Sequence, residues 1–282
     1  MANLTIVAER IAQIYAENPK VDAVLLGGSV SRGWQDQYSD IELLIFWKQA
    51  PADEDRRQPI GKLDGDGTLL DFHSYEEEEW SETYTTEGVK LEISNFLTAA
   101  IQRFIHKTIL EYETDPDVQC IAAAIEHGVA LNGKPIIAEM KQQLENYPDA
   151  LREAMIVSNL DFGSRWHNRE ALLSRKDWLM LYKVLADVET KIMSILFGLN
   201  RQYIVHPGFK WQRNSLDTMP IKPEDTAARL ESVFLGNPHD ALRELETIIQ
   251  EVFELIGREL PQLDLTEARK QSERVRPSHE DV

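Results

Sequence analysis

The sequence predicts an α+β fold: a small mixed β-sheet domain over residues 1–135, an α-helical bundle domain over 136–265, and a polar, frayed tail over 266–282. Three observations carry that expectation. Two apolar runs, 21–26 and 41–47, flank a Gly-Gly turn and have the length and composition of buried strands. Beyond about Tyr147 the apolar spacing settles into steps of three and four, the period of helices that bury one face. The 282 residues suffice for two modest domains, each with its own core.

Taken in order, residues 4–15 set Ile6, Val7, Ile11 and Ile14 along one side of an amphipathic helix that Asn18-Pro19 ends. Strands follow at 21–26 and 41–47, with a short helix expected over 31–37. Residues 50–67, with Pro51, Pro59, Gly61, Gly65 and Gly67, read as a loop. Residues 68–75 and 89–93 read as strands, and the acidic run Glu76 to Glu79 between them as the solvated start of a helix. Helical spacing resumes at Phe96 through Ile101, Ile105 and Ile109. Asp115-Pro116 breaks that helix, 118–130 forms the next, and Asn132-Gly133 with Pro135 makes a turn. The clearest helix begins at Ser174, with Asp177 as a capping-box variant, and runs a stripe through Trp178, Leu181, Leu185, Val188, Ile192, Ile195 and Leu199. A later helix, 238–260, turns Leu242, Leu245, Ile249, Phe253 and Ile256 inward. No internal repeat is visible.

The chemistry concentrates between the first two strands. Gly27-Gly28-Ser29 closes one strand, and Asp40-Ile41-Glu42 opens the next. Positions i and i+2 of a strand share a face, so Asp40 and Glu42 project side by side. Carboxylates interleaved with Ile41, Leu43, Leu44 and Ile45 are costly without a partner, and a divalent cation such as Mg²⁺ or Mn²⁺ supplies one. The Gly27-Gly28 turn lets backbone N–H groups approach a phosphate, and Ser29 adds a hydroxyl. Arg32 is near enough in sequence to assist, or is a surface residue; Trp34 and Tyr38 wall the cleft or pack. A third carboxylate has two candidates on strands, Asp71 and Glu92, and spacing does not decide between them. Farther on, Tyr203 could stack on a base and His206 reads as a structural loop histidine.

A formal charge of −18 argues against a long nucleic acid as partner, because its backbone would be repelled. The single Cys120 excludes an internal disulfide framework. No apolar run reaches membrane-spanning length, and residues 1–20 lack a signal-peptide core, so a cytoplasmic location with no membrane partner is expected.

The segment GGSVSRGWQDQYSDIELLIFW resembles the nucleotidyltransferase superfamily that includes DNA polymerase beta and the antibiotic nucleotidyltransferases. EEEEWSETY, GVKLEISNF and LNRQYIVHPGFKW resemble a bacterial group built as a nucleotidyltransferase domain plus a helical domain. The resemblance implies that residues 1–135 are catalytic and that Glu92, just before a long helix, is the third carboxylate. It implies a site in which Asp40, Glu42 and Glu92 are catalytic, Asp40 and Glu42 hold Mg²⁺, and Glu92 either completes the metal site or takes the acceptor proton as general base, while Gly27, Gly28, Ser29, Arg32, Tyr203 and Lys210 bind the nucleotide. Lys210 enters because related antibiotic enzymes set a helical-domain lysine on the triphosphate. The implied reaction moves a nucleoside monophosphate from ATP or another NTP to a hydroxyl of a small molecule, aminoglycoside-like or lincosamide-like. A protein-modifying AMP transferase and a silent nucleotide-binding module are the alternatives.

Overall fold

A computed structural model describes residues 3–63, 67–76 and 78–278. The fold is α+β, and the chain divides into two compact units, 1–146 and 147–282. Among the described residues no helix is long and apolar enough to cross a membrane.

The first unit is a six-stranded mixed sheet with helices on its faces. Its strands are β1 (Val21–Leu26), β2 (Ile41–Trp47), β3 (Thr68–Glu76), β4 (Glu79–Thr86), β5 (Val89–Leu97) and β6 (Val129–Asn132), in the order β3-β4-β5-β2-β1-β6. β2 and β5 run parallel; the other neighbours are antiparallel. The period-2 pattern then sorts side chains between two faces. Val24, Leu26, Ile41, Leu43, Ile45, Leu91 and Ile93 join one core with Val7, Ala8, Ile11 and Tyr15 of α1 (Leu4–Ala16). On the opposite face Phe96 meets Phe104 of α4 (Thr98–Leu110) edge to face, with ring centroids 6.3 Å apart. That face also carries Asp40 and Glu42, at the other end of the strands.

Several elements differ from expectation. The helix after the glycine turn, α2, spans Gly28–Arg32 rather than 31–37, because Gly33, at φ 70°, ends it in the left-handed region. Residues 50–67 contain α3 (Asp53–Gly61), started by Asp53, Glu54 and Asp55 in its first turn, where carboxylates suit the helix dipole. Gly65, part of the expected loop, lies outside the described residues. The acidic run opens no helix: Glu76 ends β3 and Glu79 begins β4, while Glu77 lies outside the described residues. Here cross-strand pairing overrides the charge pattern, and Trp80 packs on Tyr75 at 4.4 Å between rings. β5 runs on to Leu97. α5 (Pro116–His127) ends early, and residues 129–132 leave it as β6, pairing with β1. Residues past the expected turn form α6 (Lys134–Leu144), which belongs to the first unit and packs on α4, α5 and β1.

The second unit is helical: α7 (Asp149–Val157), α8 (Arg169–Arg175), α9 (Trp178–Leu199), α10 (Gln212–Asp217), α11 (Thr226–Leu235), α12 (Pro238–Glu259) and α13 (Thr266–Glu273). Asp177 is the N-cap residue of α9, and Ser174 belongs to α8, so the helix starts at the expected capping partner. From Leu181 to Leu199 the anticipated stripe is buried; Trp178 is exposed. A Cβ on Gly198 would stand 2.8 Å from Met155 Cβ, so glycine sets how closely α7 and α9 approach. Over the described residues the polar tail forms α13 and is hydrogen-bonded to the rest of the unit. The Trp166 indole donates to the Ser272 carbonyl at 2.8 Å, Arg169 donates to the Arg274 carbonyl at 2.9 Å, and Arg276 N–H donates to the His167 carbonyl at 2.8 Å.

Candidate functional site

The parallel pairing of β2 and β5 builds the site. Glu42 and Glu92 are register partners, Ile41 pairs with Leu91, and Asp40 precedes Ile41 as Lys90 precedes Leu91. Register partners share a face, so Asp40, Glu42, Lys90 and Glu92 all project from the side opposite α1. The Glu92 side chain is 46% exposed and that of Asp40 18%.

Lys90 was not singled out by the sequence, although Lys90-x-Glu92 on one strand carried the signal. Its ammonium donates to the Glu92 carboxylate and lies 3.5 Å from Asp40 Oδ2. The hydrogen bond to Glu92 and the charges of Glu92 and Asp40 raise its pKa against the pull of desolvation. Asp71, the other third-carboxylate candidate, pairs with Thr83, which in turn pairs with Glu92. It therefore shares the face but lies two strands away, exposed on the sheet's edge strand.

Across the turn, Gly28 has φ 61°, and a Cβ there would stand 2.4 Å from Cδ and Oε1 of Glu42. The backbone angle favours glycine, and any side chain would displace the carboxylate packed on its Cα. Gly27 N–H donates to the Glu42 carbonyl at 2.9 Å, so the turn and the acidic strand are joined at the same residue. α2 is five residues long, and its dipole adds little; any anion contact falls to the turn's own N–H groups.

Ser29 departs from the expected outward hydroxyl. It is buried, and its Oγ donates to Ser39 Oγ at 3.2 Å; Ser39 in turn donates to Asp36 at 3.2 Å and accepts from Asp36 N–H at 2.9 Å. The serine thus fastens the loop that delivers Asp40. Arg32 also turns inward, donating to the Gly28 carbonyl at 3.3 Å and the Ala123 carbonyl at 3.4 Å. Burial lowers its pKa, while Glu42, Cys120 and Glu126 raise it. Its Nε is buried without a hydrogen-bond partner. Burial pushes the Cys120 thiol up to about 12, so it is not a nucleophile at neutral pH. His127 is pushed down to about 4 by burial, then by Arg32 and Lys141, and is neutral.

The remaining two expected nucleotide contacts lie in the second unit. Tyr203 lies in the core of the second unit, 1% exposed, with its ring 5.0 Å from that of Tyr147. Lys210 is exposed in the connection between α9 and α10. His206 accepts from Gly208 N–H at 3.0 Å, a loop-fixing role.

The donor set suits a hard divalent cation: three carboxylates on one face, with an ammonium between two of them standing in as the cation. As they stand, no three His, Cys, Asp or Glu side chains among the described residues converge closely enough to hold a metal ion. Entry of a metal would require Lys90 to swing away, a rotamer change open to a half-exposed lysine.

Residues 115–212 match the model of a domain of unknown function, DUF4037. No curated protein matches the chain. Among solved structures the chain is similar to the nucleotidyltransferase-like protein from Exiguobacterium sibiricum 255-15, at 16% identity and a TM-score of 0.40, over 95% of this chain and 88% of that one.

Proposed function

We propose that the chain is a Mg²⁺-dependent nucleotidyltransferase that moves a nucleoside monophosphate, from ATP or another NTP, to a hydroxyl of a small molecule. One observation carries the reading: Asp40, Glu42 and Glu92 share a sheet face beside a Gly27-Gly28 turn whose bare Cα packs on the Glu42 carboxyl group. Such a site joins carboxylates to a glycine turn whose backbone N–H groups suit a phosphate.

Asp40 and Glu42 are the residues that would hold the cation. Bound there, Mg²⁺ would neutralise triphosphate charge and stabilise the departing pyrophosphate. The Gly28 and Ser29 N–H groups orient the outer phosphates, the Gly27 N–H being held by the Glu42 carbonyl. The acceptor oxygen bonds to the α-phosphorus as the bond from that phosphorus to pyrophosphate breaks. Glu92, open to solvent, takes the acceptor proton. Arg32, tied to two carbonyls, positions the turn rather than the phosphates.

The test is transfer from α-labelled ATP with Mg²⁺ against an acceptor panel and a cell lysate. Asp40→Asn should lower transfer by at least about a hundredfold with an unchanged circular dichroism spectrum. Full activity in that variant overturns the assignment. Label recovered on protein instead of small products makes the acceptor a protein, and tight Mg-ATP binding without pyrophosphate release makes the site a binding module.

A further inference from the structure

We infer that Lys90 is a nucleotide ligand with two positions: in the free protein its ammonium bridges Asp40 and Glu92, and once a divalent cation takes Asp40 it moves onto a phosphoryl group that the cation holds. The inference rests on the reading of the site given above. It adds a residue for the phosphoryl group nearest the ribose, which the glycine turn does not hold. Strand pairing limits where that ammonium can go. β2 pairs with β5 and β5 with β4, so the Lys90 backbone lies between those of Asp40 and Thr85, on the row beside the carboxylates. The ammonium donates to Glu92 and stands 3.5 Å from Asp40 Oδ2.

The Lys90 side chain is 45% exposed, and ion pairs so open to water are weak, so the ammonium leaves Asp40 at little cost. A cation bound at Asp40 and Glu42 repels it. Its Cα stays fixed on β5, so the ammonium swings only within the length of its own side chain. The anion newly brought within that length is the phosphoryl group on the cation. Among the described residues the neighbouring rows offer no second cation for it. Thr83 pairs with Glu92, Thr85 with Lys90, Asp71 with Thr83 and Thr68 with Thr85, so these rows across β4 and β3 hold hydroxyls and a carboxylate. Arg32, the cation near the turn, already donates to the Gly28 and Ala123 carbonyls. Lysine suits the task, because a point charge on a flexible stem can serve a carboxylate in one state and a phosphoryl oxygen in the next.

The probes are Mn²⁺ alone and Mn²⁺ with α,β-methylene-ATP, each titrated calorimetrically into the full chain. Lys90→Met should bind Mn²⁺ alone more tightly, because a rival cation is gone. The same variant should bind the Mn²⁺–nucleotide analogue at least about tenfold more weakly, because a charge-assisted hydrogen bond is gone. A lysine that only braced the sheet would not move the two affinities in opposite directions. Lys90→Arg, which keeps the charge, should recover most of the lost analogue affinity. Lys62→Met removes the same charge at the end of α3, where it pairs with Glu17, and should bind both probes like the wild type. If Asp40→Asn loses the analogue while Lys90→Met binds it as well as the wild type, or binds Mn²⁺ alone no more tightly, the role of Lys90 is overturned and the carboxylate site stands. If the wild type binds the analogue no better than Asp40→Asn, the nucleotide reading of the site is overturned, and the inference with it.

Discussion

On the α1 side of the first unit's sheet, Glu82 is ringed by internal donors; on the other side, Asp40, Glu42 and Glu92 face outward with one lysine among them. Glu82, 1% exposed, accepts from Arg56 at 3.1 Å, Tyr15 at 3.1 Å and Asn95 at 3.0 Å, and Trp47 donates to Asn95 at 2.9 Å. Burial raises the Glu82 carboxyl to about 7, and Asn95, Arg56 and Tyr15 pull against that rise. The same residue type serves two purposes on one sheet. Around Glu82 the protein supplies buried donors to both oxygens, and the charge is structural; Asp40 and Glu92 share instead a half-exposed ammonium, which an external cation could replace.

The largest effect should come from breaking the closed side. Arg56→Met leaves Glu82 buried without its cation and should destabilise the fold by about 3–5 kcal/mol in denaturant titration. Adding Glu82→Leu should recover most of that loss. A single-variant cost below about 1 kcal/mol would mean that the network is not what holds this face.

Next comes Glu189, the opposite case in the second unit, with one oxygen unmatched. Its folded pKa, about 7, stands above the ordinary 4.5, so its protonated form is favoured in the folded state. The stability this contributes is fully present below pH 4.5 and is lost as pH rises through about 7. Its full size is about 3 kcal/mol. The slope of unfolding free energy between those values should flatten in Glu189→Gln; an unchanged slope would assign it to other groups such as Glu82.

Gly28→Ala tests the join between turn and strand. A side chain at φ 61°, directed into the Glu42 carboxyl, should cost about 1–3 kcal/mol and displace that carboxyl. Urea denaturation and Mg-ATP binding should both register it. The smallest effect belongs to Lys90→Met. Half-exposed ion pairs are worth little, so stability should move by less than about 1 kcal/mol. Divalent-cation affinity, read by calorimetry, should nevertheless increase, because the competing ammonium is gone. Decreased affinity would make Lys90 a partner of the site rather than a rival for it.

The alternation of Asp40, Ile41 and Glu42 already told that two carboxylates share a face, because strand periodicity is local. β1 and β2 and the buried stripes of α9 and α12 were legible for the same reason. The residues 53–61 were not: their helix is held by Arg56 reaching Glu82, twenty-six positions away, a contact no local pattern encodes. The strand at 79–86 was masked by its own acidic lead, and β6 exists only because β1 offers it an edge.

By itself, then, the sequence determined the α+β class, the glycine turn and the paired carboxylates, all set by chain-local sterics and periodicity. Only the tertiary structure decided that Glu92 stands beside Glu42 while Asp71 lies two strands off, since register depends on which strands pair. It also decided that Ser29, Arg32 and Tyr203 turn inward, because the direction of a polar side chain is fixed by the partners that packing brings within reach, not by its neighbours in the chain.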